Sequence, residues 1–375
     1  MSSTTYRFIQ PLDVLFLRGN KLFGDPGSHG ESLVPPWPSV AAGALRSLML
    51  SDSGMDLAAF AAGRQSHPEL GTPQAPGSFA LTDFTLARRD ARGQLETLHP
   101  LPADLVVSQD ASAGLRVQRL QPHEPAPGLL SSAPLAQWPL LAQADRSKAS
   151  SGLWLSTAGW AAYLAGRLPT LQQLVGSEQL WRIDNRVGVG LDPSTRRAAD
   201  GQLFSAQAVA FRPEVGFLAA VRGATLPEHG MLRLGGDGRG AALQTIAYQP
   251  PKADLADLCG ARRCRIVLTS PGLFAGGWLP PGVDGERRIR LPGFSARLAC
   301  AAVPRAEIVS GWDLAQRQPK SAQRVAPTGS VYWLDELDAT PQALGNLAEQ
   351  GLWAAADENP QRRAEGFNRF SFAAW

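Results

Sequence analysis

The sequence has 375 residues, 44% hydrophobic with ten Trp and fourteen Phe, and only 18% charged. That is enough apolar material for two or three packed domains and too little charge for a disordered chain. A formal net charge of +3 does not by itself announce a nucleic-acid binder, and three cysteines are too few for a disulfide scaffold.

In chain order, Thr5–Leu17 alternates as a strand carrying Tyr6, Phe8, Val14 and Phe16, with Pro11 interrupting it. Residues 24–30 compose a loop. Ser39 is placed to cap a helix whose Ala41, Leu45, Leu48 and Met49 share one face. Gly43 inside that helix costs about 1 kcal/mol relative to Ala, and a close approach to a sheet would justify it. Residues 63–80 and 121–145 are rich in Pro, Gly, Ala and Ser and read as irregular. Between them, Phe79–Val107 reads as a long-armed hairpin around the turn Asp90–Gly93. Residues 203–222 suggest two strands joined at Arg212–Val215. Residues 231–248 suggest a strand, the glycine loop Gly235–Gly240, and another strand. Pro250–Pro251 is the best domain boundary. It divides the chain into 1–248, with insertions at about 79–107 and 121–150, and 249–375, where a second strand series starts at Cys264. The fold class is α+β.

Several chemistries are excluded by pattern. No Gly-Lys pair exists, so there is no phosphate-cradling P-loop. Gly236-Asp-Gly-Arg-Gly-Ala241 loosely matches a dinucleotide fingerprint, but a strand rather than a helix follows it, which rejects that use. The loop can still let backbone N–H groups approach a phosphate, with Arg239 adding charge, or be a plain hairpin turn. Cys259 and Cys264 lack the further ligands zinc needs. The five histidines show no metal-ligand spacing, and no cofactor is expected. His29, in a loop before the first helix, is the best candidate general base. With no apolar signal core at the N-terminus and no uncharged apolar window near 18 residues, the expected location is cytoplasmic, without a membrane span.

The basic residues say more. Lys and Arg number 36, and only Lys21, Lys148, Lys252 and Lys320 are Lys, leaving 32 Arg. Arginine presents a planar fork that grips phosphate and stacks on bases, although a GC-rich genome also favours it. Three clusters stand out: Arg182, Arg186, Arg196 and Arg197; Arg287, Arg288 and Arg290; and Arg362, Arg363 and Arg369, with Trp181, Phe204, Phe367 and Phe370 nearby. Arginine on phosphate and aromatic rings under bases are what a single-stranded RNA site needs, whereas each cluster alone could be a solvated face.

Five segments, in order, resemble the RAMP proteins of the type III-B Cmr subunit three family: Pro11-Leu-Asp-Val-Leu-Phe-Leu-Arg18 with Phe23, Pro35–Arg46, Arg186-Val-Gly-Val-Gly-Leu-Asp192 running on to Phe204, Leu234–Arg239, and Glu365-Gly-Phe-Asn368. Leu17 stands where the family usually has Phe. The resemblance implies two ferredoxin-like (RRM-like) RAMP domains and a non-catalytic place at the foot of a CRISPR effector. The implied partners are the 5′ handle of the CRISPR RNA, the large polymerase-type subunit, the repeated backbone subunit and, indirectly, target RNA. It extends RNA contact to Arg18, Lys21, Arg46, Gly235, Gly236, Gly238 and Arg239, beside the cluster residues Arg186, Arg196, Arg197 and Arg369. The hairpin at 79–107 resembles the element by which such subunits part guide from target. The alternatives are a metal-independent repeat-processing endoribonuclease with His29 as base, the equivalent subunit of another type III complex, and a protein-only scaffold.

Overall fold

A computed structural model describes the chain apart from residues 1–3, 20–28, 91, 111–113, 126, 129, 132, 134, 142–148, 193, 314, 317 and 355–358. The protein is mixed α and β, with 43% of residues in strands and 17% in helices. It divides into two compact units that share the chain unevenly. Met1–Leu95, Ser177–Ala247 and Ile308–Gln323 form unit 1; Glu96–Gly176, Tyr248–Glu307 and Arg324–Trp375 form unit 2. The chain leaves unit 1 at Ala247, next to the expected boundary. Residues 96–176, which include the insertion expected at 121–150 and the end of the one expected at 79–107, belong to unit 2. Among the described residues no helix is long and apolar enough to cross a membrane.

Unit 1 begins with β1 (Thr5–Pro11) and α1 (Pro38–Asp52), followed by β2 (Ala80–Arg89). Then come β3 (Trp181–Leu191), β4 (Ala198–Phe211), β5 (Val215–Arg222), β6 (His229–Arg233) and β7 (Gly240–Thr245). Five of the strands pair antiparallel in the order β2-β5-β1-β7-β6. Strand β5 reads Val-Gly-Phe-Leu-Ala-Ala-Val-Arg and is buried on both faces except at its last residue, which suits a central strand. Phe8, Ile9, Phe217 and Leu218 are fully buried, each contributing about 1.5–3 kcal/mol through removal from water. Gly216 is required by crowding, since a Cβ there would lie 2.3 Å from the Ile9 carbonyl oxygen.

Helix α1 starts two residues earlier than a Ser39 cap would place it. Trp37 is the N-cap, without a side-chain bond, and Pro38 is the first helical residue. Proline needs no N–H partner there and brings its φ already set. Ala41, Leu45 and Met49 are buried as the periodicity demands. Gly43 has open space where its Cβ would be, so no close approach explains it.

Pro11 ends β1, and Val14–Leu17 runs on as a separate stretch beside β4. The two strands expected over 203–222 exist, but they do not pair. Strand β5 is central in the five-stranded sheet, whereas β4 pairs with β3 and the short strand His29–Gly30. The segment 79–107 also departs from expectation. Strand β2 is bonded along its length to β5, with Leu81, Leu86 and Ala87 fully buried. Strand Leu95–Pro100 pairs with Leu153–Leu155 in unit 2. Neither arm is free to project.

Unit 2 holds a second five-stranded antiparallel sheet, in the order Arg288–Leu291, Phe294–Ala302, Val331–Ala339, Cys264–Leu268, Phe370–Ala373. Helix Leu255–Ala261 is capped by the Asp254 carboxylate and helix Pro341–Gln350 by the Thr340 hydroxyl. The segment 96–176 adds Leu105, Leu155, Trp160, Tyr163 and Leu164 to a core shared with Val267, Cys300 and Trp333. An ion network lies inside it. Asp104, wholly buried, pairs with Arg265 and accepts the Tyr163 hydroxyl at 2.9 Å. Arg119 stands 3.9 Å from the same carboxylate and donates to the Gly166 and Arg167 carbonyls. Burial, and then the neighbouring Asp104, raise the Tyr163 phenol well above its ordinary value, so it stays a donor. Burial likewise pushes the Cys300 thiol up to about 12, which fits an inert buried thiol.

Candidate nucleic-acid interface

The candidate site lies in unit 1, where Val14–Leu17 meets the root of the β3–β4 hairpin. Leu15 and Val209 exchange both backbone bonds, at 2.9 and 2.8 Å. This register seats Phe16 on Val14, Ala206 and Ala208. Alanines two apart on one face of β4 leave the space the ring occupies. The Phe16 carbonyl accepts the Gly236 N–H at 2.8 Å and so ties the glycine loop down. Gly235 must be glycine: its φ is +76°, and a Cβ would come 2.7 Å from the Phe16 carbonyl oxygen. Gly238 has φ +64° and Asp237 φ +58°, left-handed values that Asp tolerates better than most residues.

Two guanidinium groups face the Phe16 ring, Arg239 at 5.2 Å from its centroid and Arg186 at 5.9 Å. A cation over a ring face is attracted by its quadrupole and held in one orientation. Arg18 follows two residues after Phe16, its backbone bridged to Ser32. Each arginine meets a carboxylate: Arg239 with Asp13 at 3.0 Å, Arg186 with Asp184 at 3.0 Å, and Arg18 with Asp237 at 3.5 Å. The arginine side chains remain 29%, 42% and 41% exposed in the same order, so their forks are open to a solvent-borne anion.

Arg18, Arg186, Gly235, Gly236, Gly238 and Arg239 therefore come together from segments far apart in the chain. The other sequence candidates do not join them. Lys21 lies outside the described residues. Arg46 is on α1, its guanidinium 5.1 Å from the Phe79 ring centroid. Arg196 and Arg197 are exposed at the far end of β3–β4. There Asp192 accepts from Ser194 and Thr195. These bonds, the Ser194 hydroxyl first, hold its carboxyl down to about 2. Arg369 is buried in unit 2 and donates to the Glu349 carbonyl at 2.9 Å, so it offers no fork to solvent. Its neighbour Arg362 is also buried, paired with Glu365 at 3.0 Å. In the middle cluster Arg288 pairs with Glu336 and Arg290 with Asp284. His29 has backbone pairing with Ser205.

Sequence reasoning misses three things here. It does not assign the carboxylates Asp13, Asp184 and Asp237 as partners. It takes Phe16 for a strand residue and not for the ring beneath two arginines. The third is an alternation across 181–191, which passes for a polar stretch. It sets Ile183, Val187, Val189 and Leu191 against Arg182, Asp184, Arg186, Gly188 and Gly190, the pattern of a two-faced hairpin. In the structure Val187 is 71% exposed, and Leu191 and Leu203, the latter paired across the hairpin with Val189, are each 59% exposed. On the opposite face the Phe204 ring lies over Gly188, where a Cβ would come 2.3 Å from it.

The chain is thus a strand-rich mixed α and β protein with an arginine-lined, glycine-floored surface. The chain matches the family "CRISPR-associated protein (Cas_Cmr3)" over residues 7–375. It belongs to that family. A comparison with curated proteins found no match. Two solved structures are similar. A chain of the type III-B Cmr-beta complex bound to cognate target RNA and AMPPnP, state 1, is 15% identical, with 97% of this chain and 95% of that chain covered and a TM-score of 0.49. A chain of the same complex bound to cognate target RNA is 14% identical, with 97% and 96% covered and a TM-score of 0.49.

Proposed function

We propose that the chain binds the 5′ handle of the CRISPR RNA as a non-catalytic subunit and stands at the foot of the effector, beside the large polymerase-type and repeated backbone subunits. The observation that carries this reading is the placement of Arg186 and Arg239 over Phe16, with Arg18 beside the Gly235–Gly238 loop through Asp237. Guanidinium forks supply phosphate contacts, and the glycines let a sugar–phosphate backbone approach closely. The strand orders support two ferredoxin-like domains. In unit 1, β2-β5-β1-β7 is the 2-3-1-4 order of a split β-α-β unit with α1 as its first crossover. In unit 2 the same order is given by Phe294–Ala302, Val331–Ala339, Cys264–Leu268 and Phe370–Ala373, with Pro341–Gln350 in the second crossover.

The test is fluorescence anisotropy of the purified chain with a labelled RNA bearing the host's CRISPR handle, comparing the native protein with R18Q/R186Q/R239Q. Removing a charge-assisted hydrogen bond costs about 1–3 kcal/mol, so a fall in affinity of at least about tenfold is expected. Equal affinities would refute the reading. The same preparation, incubated with repeat RNA without metal, should leave it uncut; a cleavage product would favour an endoribonuclease.

A further inference from the structure

We infer that Asp13, Asp184 and Asp237 are intramolecular stand-ins for RNA phosphate, occupying the arginine forks so that the empty interface does not take up generic polyanions. This rests on reading the site as an RNA interface.

The pairing is reciprocal. The segment 13–18 gives Asp13 to Arg239 and takes Asp237 for Arg18; the glycine loop gives Asp237 and takes Asp13. The third pair, Arg186 with Asp184, lies on one strand, two residues apart and therefore on one face. Every arginine of the converged site thus has a carboxylate on it. Asp13 is also aimed: its Oδ1 accepts the Val14 N–H at 2.7 Å, which leaves Oδ2 directed at Arg239. The carboxylate does not saturate that guanidinium, since the Arg239 Nε is shielded from water and has no partner among the described residues. A phosphate presents more acceptor oxygens to the same fork. The carboxylates are 61%, 41% and 52% exposed for Asp13, Asp184 and Asp237, so they can swing into solvent when displaced.

The consequence is a binding threshold. An incoming phosphate exchanges with a carboxylate instead of meeting a bare cation. An exposed ion pair is a weak competitor, worth a factor of a few, so three together weaken any RNA by about tenfold. Exchange also changes the salt dependence. Each phosphate neutralised on a single strand normally contributes about 0.7 to the slope of log affinity against log salt. A cation already neutralised by the protein contributes less. The alternative is a structural staple that only holds the glycine loop in place.

The experiment uses the full chain, a labelled 20-nucleotide oligouridylate, and D13N/D184N/D237N. Asparagine keeps the shape and accepts the left-handed backbone of residue 237. A control variant, D257N/E286Q/E349Q, makes the same change in net charge at exposed acids elsewhere. The expected result is about tenfold tighter oligouridylate binding for the first variant only, with a salt slope steeper by about two. Unchanged affinity and slope, or an equal gain in the control, would overturn the inference, provided R18Q/R186Q/R239Q loses RNA. If that arginine variant binds RNA as well as the native chain, the interface reading falls first and this one with it. A pure staple predicts a lower melting temperature without tighter binding. If the triple variant does not fold, D184N alone, on a strand outside the reciprocal pairs, must still tighten oligouridylate about threefold.

Discussion

His99 shows how a single residue in unit 2 couples the fold to pH. Its ring stacks on Trp160 with centroids 4.4 Å apart, and its Nε2 lies 3.3 Å from the Thr97 hydroxyl. Burial pushes its pKa from 6.5 down to about 3. The folded chain therefore holds it neutral while the unfolded chain takes up a proton below about pH 6.5. Between there and about pH 3 the unfolded state binds more protons, so stability is lost as pH falls, by up to about 1.4 kcal/mol per pH unit. His99→Phe keeps the stacking surface and removes the titration. Melting temperatures measured from pH 7 to 4.5 are expected to fall less steeply in the variant; parallel slopes would assign the acid sensitivity to other groups. The neighbouring Asp104 network works differently. Its charges are satisfied by each other, so losing one partner would strand a buried ion, a cost of about 3–5 kcal/mol.

Among the elements, the β3–β4 hairpin joins the site at its root and presents Val187, Val189 and Leu203 to solvent at its outer half. We propose that this hairpin, rather than the strands Ala80–Arg89 and Leu95–Pro100 that are paired into sheets, is the element that would part guide from target. Replacing those three residues with serine removes the middle of the apolar face, leaving Ile183 and Leu191 at its ends, and keeps the strand pairing. In a reconstituted complex the handle affinity should be unchanged, while the register of target pairing, read by nuclease footprinting, should shift. An unchanged footprint would remove the hairpin from that role. Much of this element order was legible in the sequence, because short-range physics governs it: Pro11 stopping β1, periodicity in α1, and the glycine loop between two strands. The site was legible in part. Arg18, Arg186 and Arg239 stand out as residue types, but their meeting depends on Leu15 pairing with Val209, which no local pattern encodes. Arg369 misled for the opposite reason, since a basic cluster near a terminus looks solvated until its partner carbonyl is known.

On the scale of the whole molecule, the chain's division matters more than any boundary near residue 250. Because Leu105, Trp160, Tyr163 and Leu164 pack with Val267, Cys300 and Trp333, a fragment ending at residue 248 would carry one half of a core without the other. Such a fragment should be aggregation-prone and give a weaker near-ultraviolet circular dichroism signal per aromatic residue than the full chain. A soluble, cooperatively melting 1–248 fragment would show that unit 2's contribution is dispensable.

Strand β1 pairs on one side with β5 and on the other with β7, placing Thr5 opposite Val221 and Ile9 opposite Leu243. On a ribosome adding about 5–20 residues per second, that strand waits about 10–40 s after it emerges before either neighbour exists. Throughout that interval an apolar ribbon with two open edges is in reach of chaperones and of other nascent chains. The yield of functional subunit is then decided during translation, by what holds that ribbon until its partners arrive.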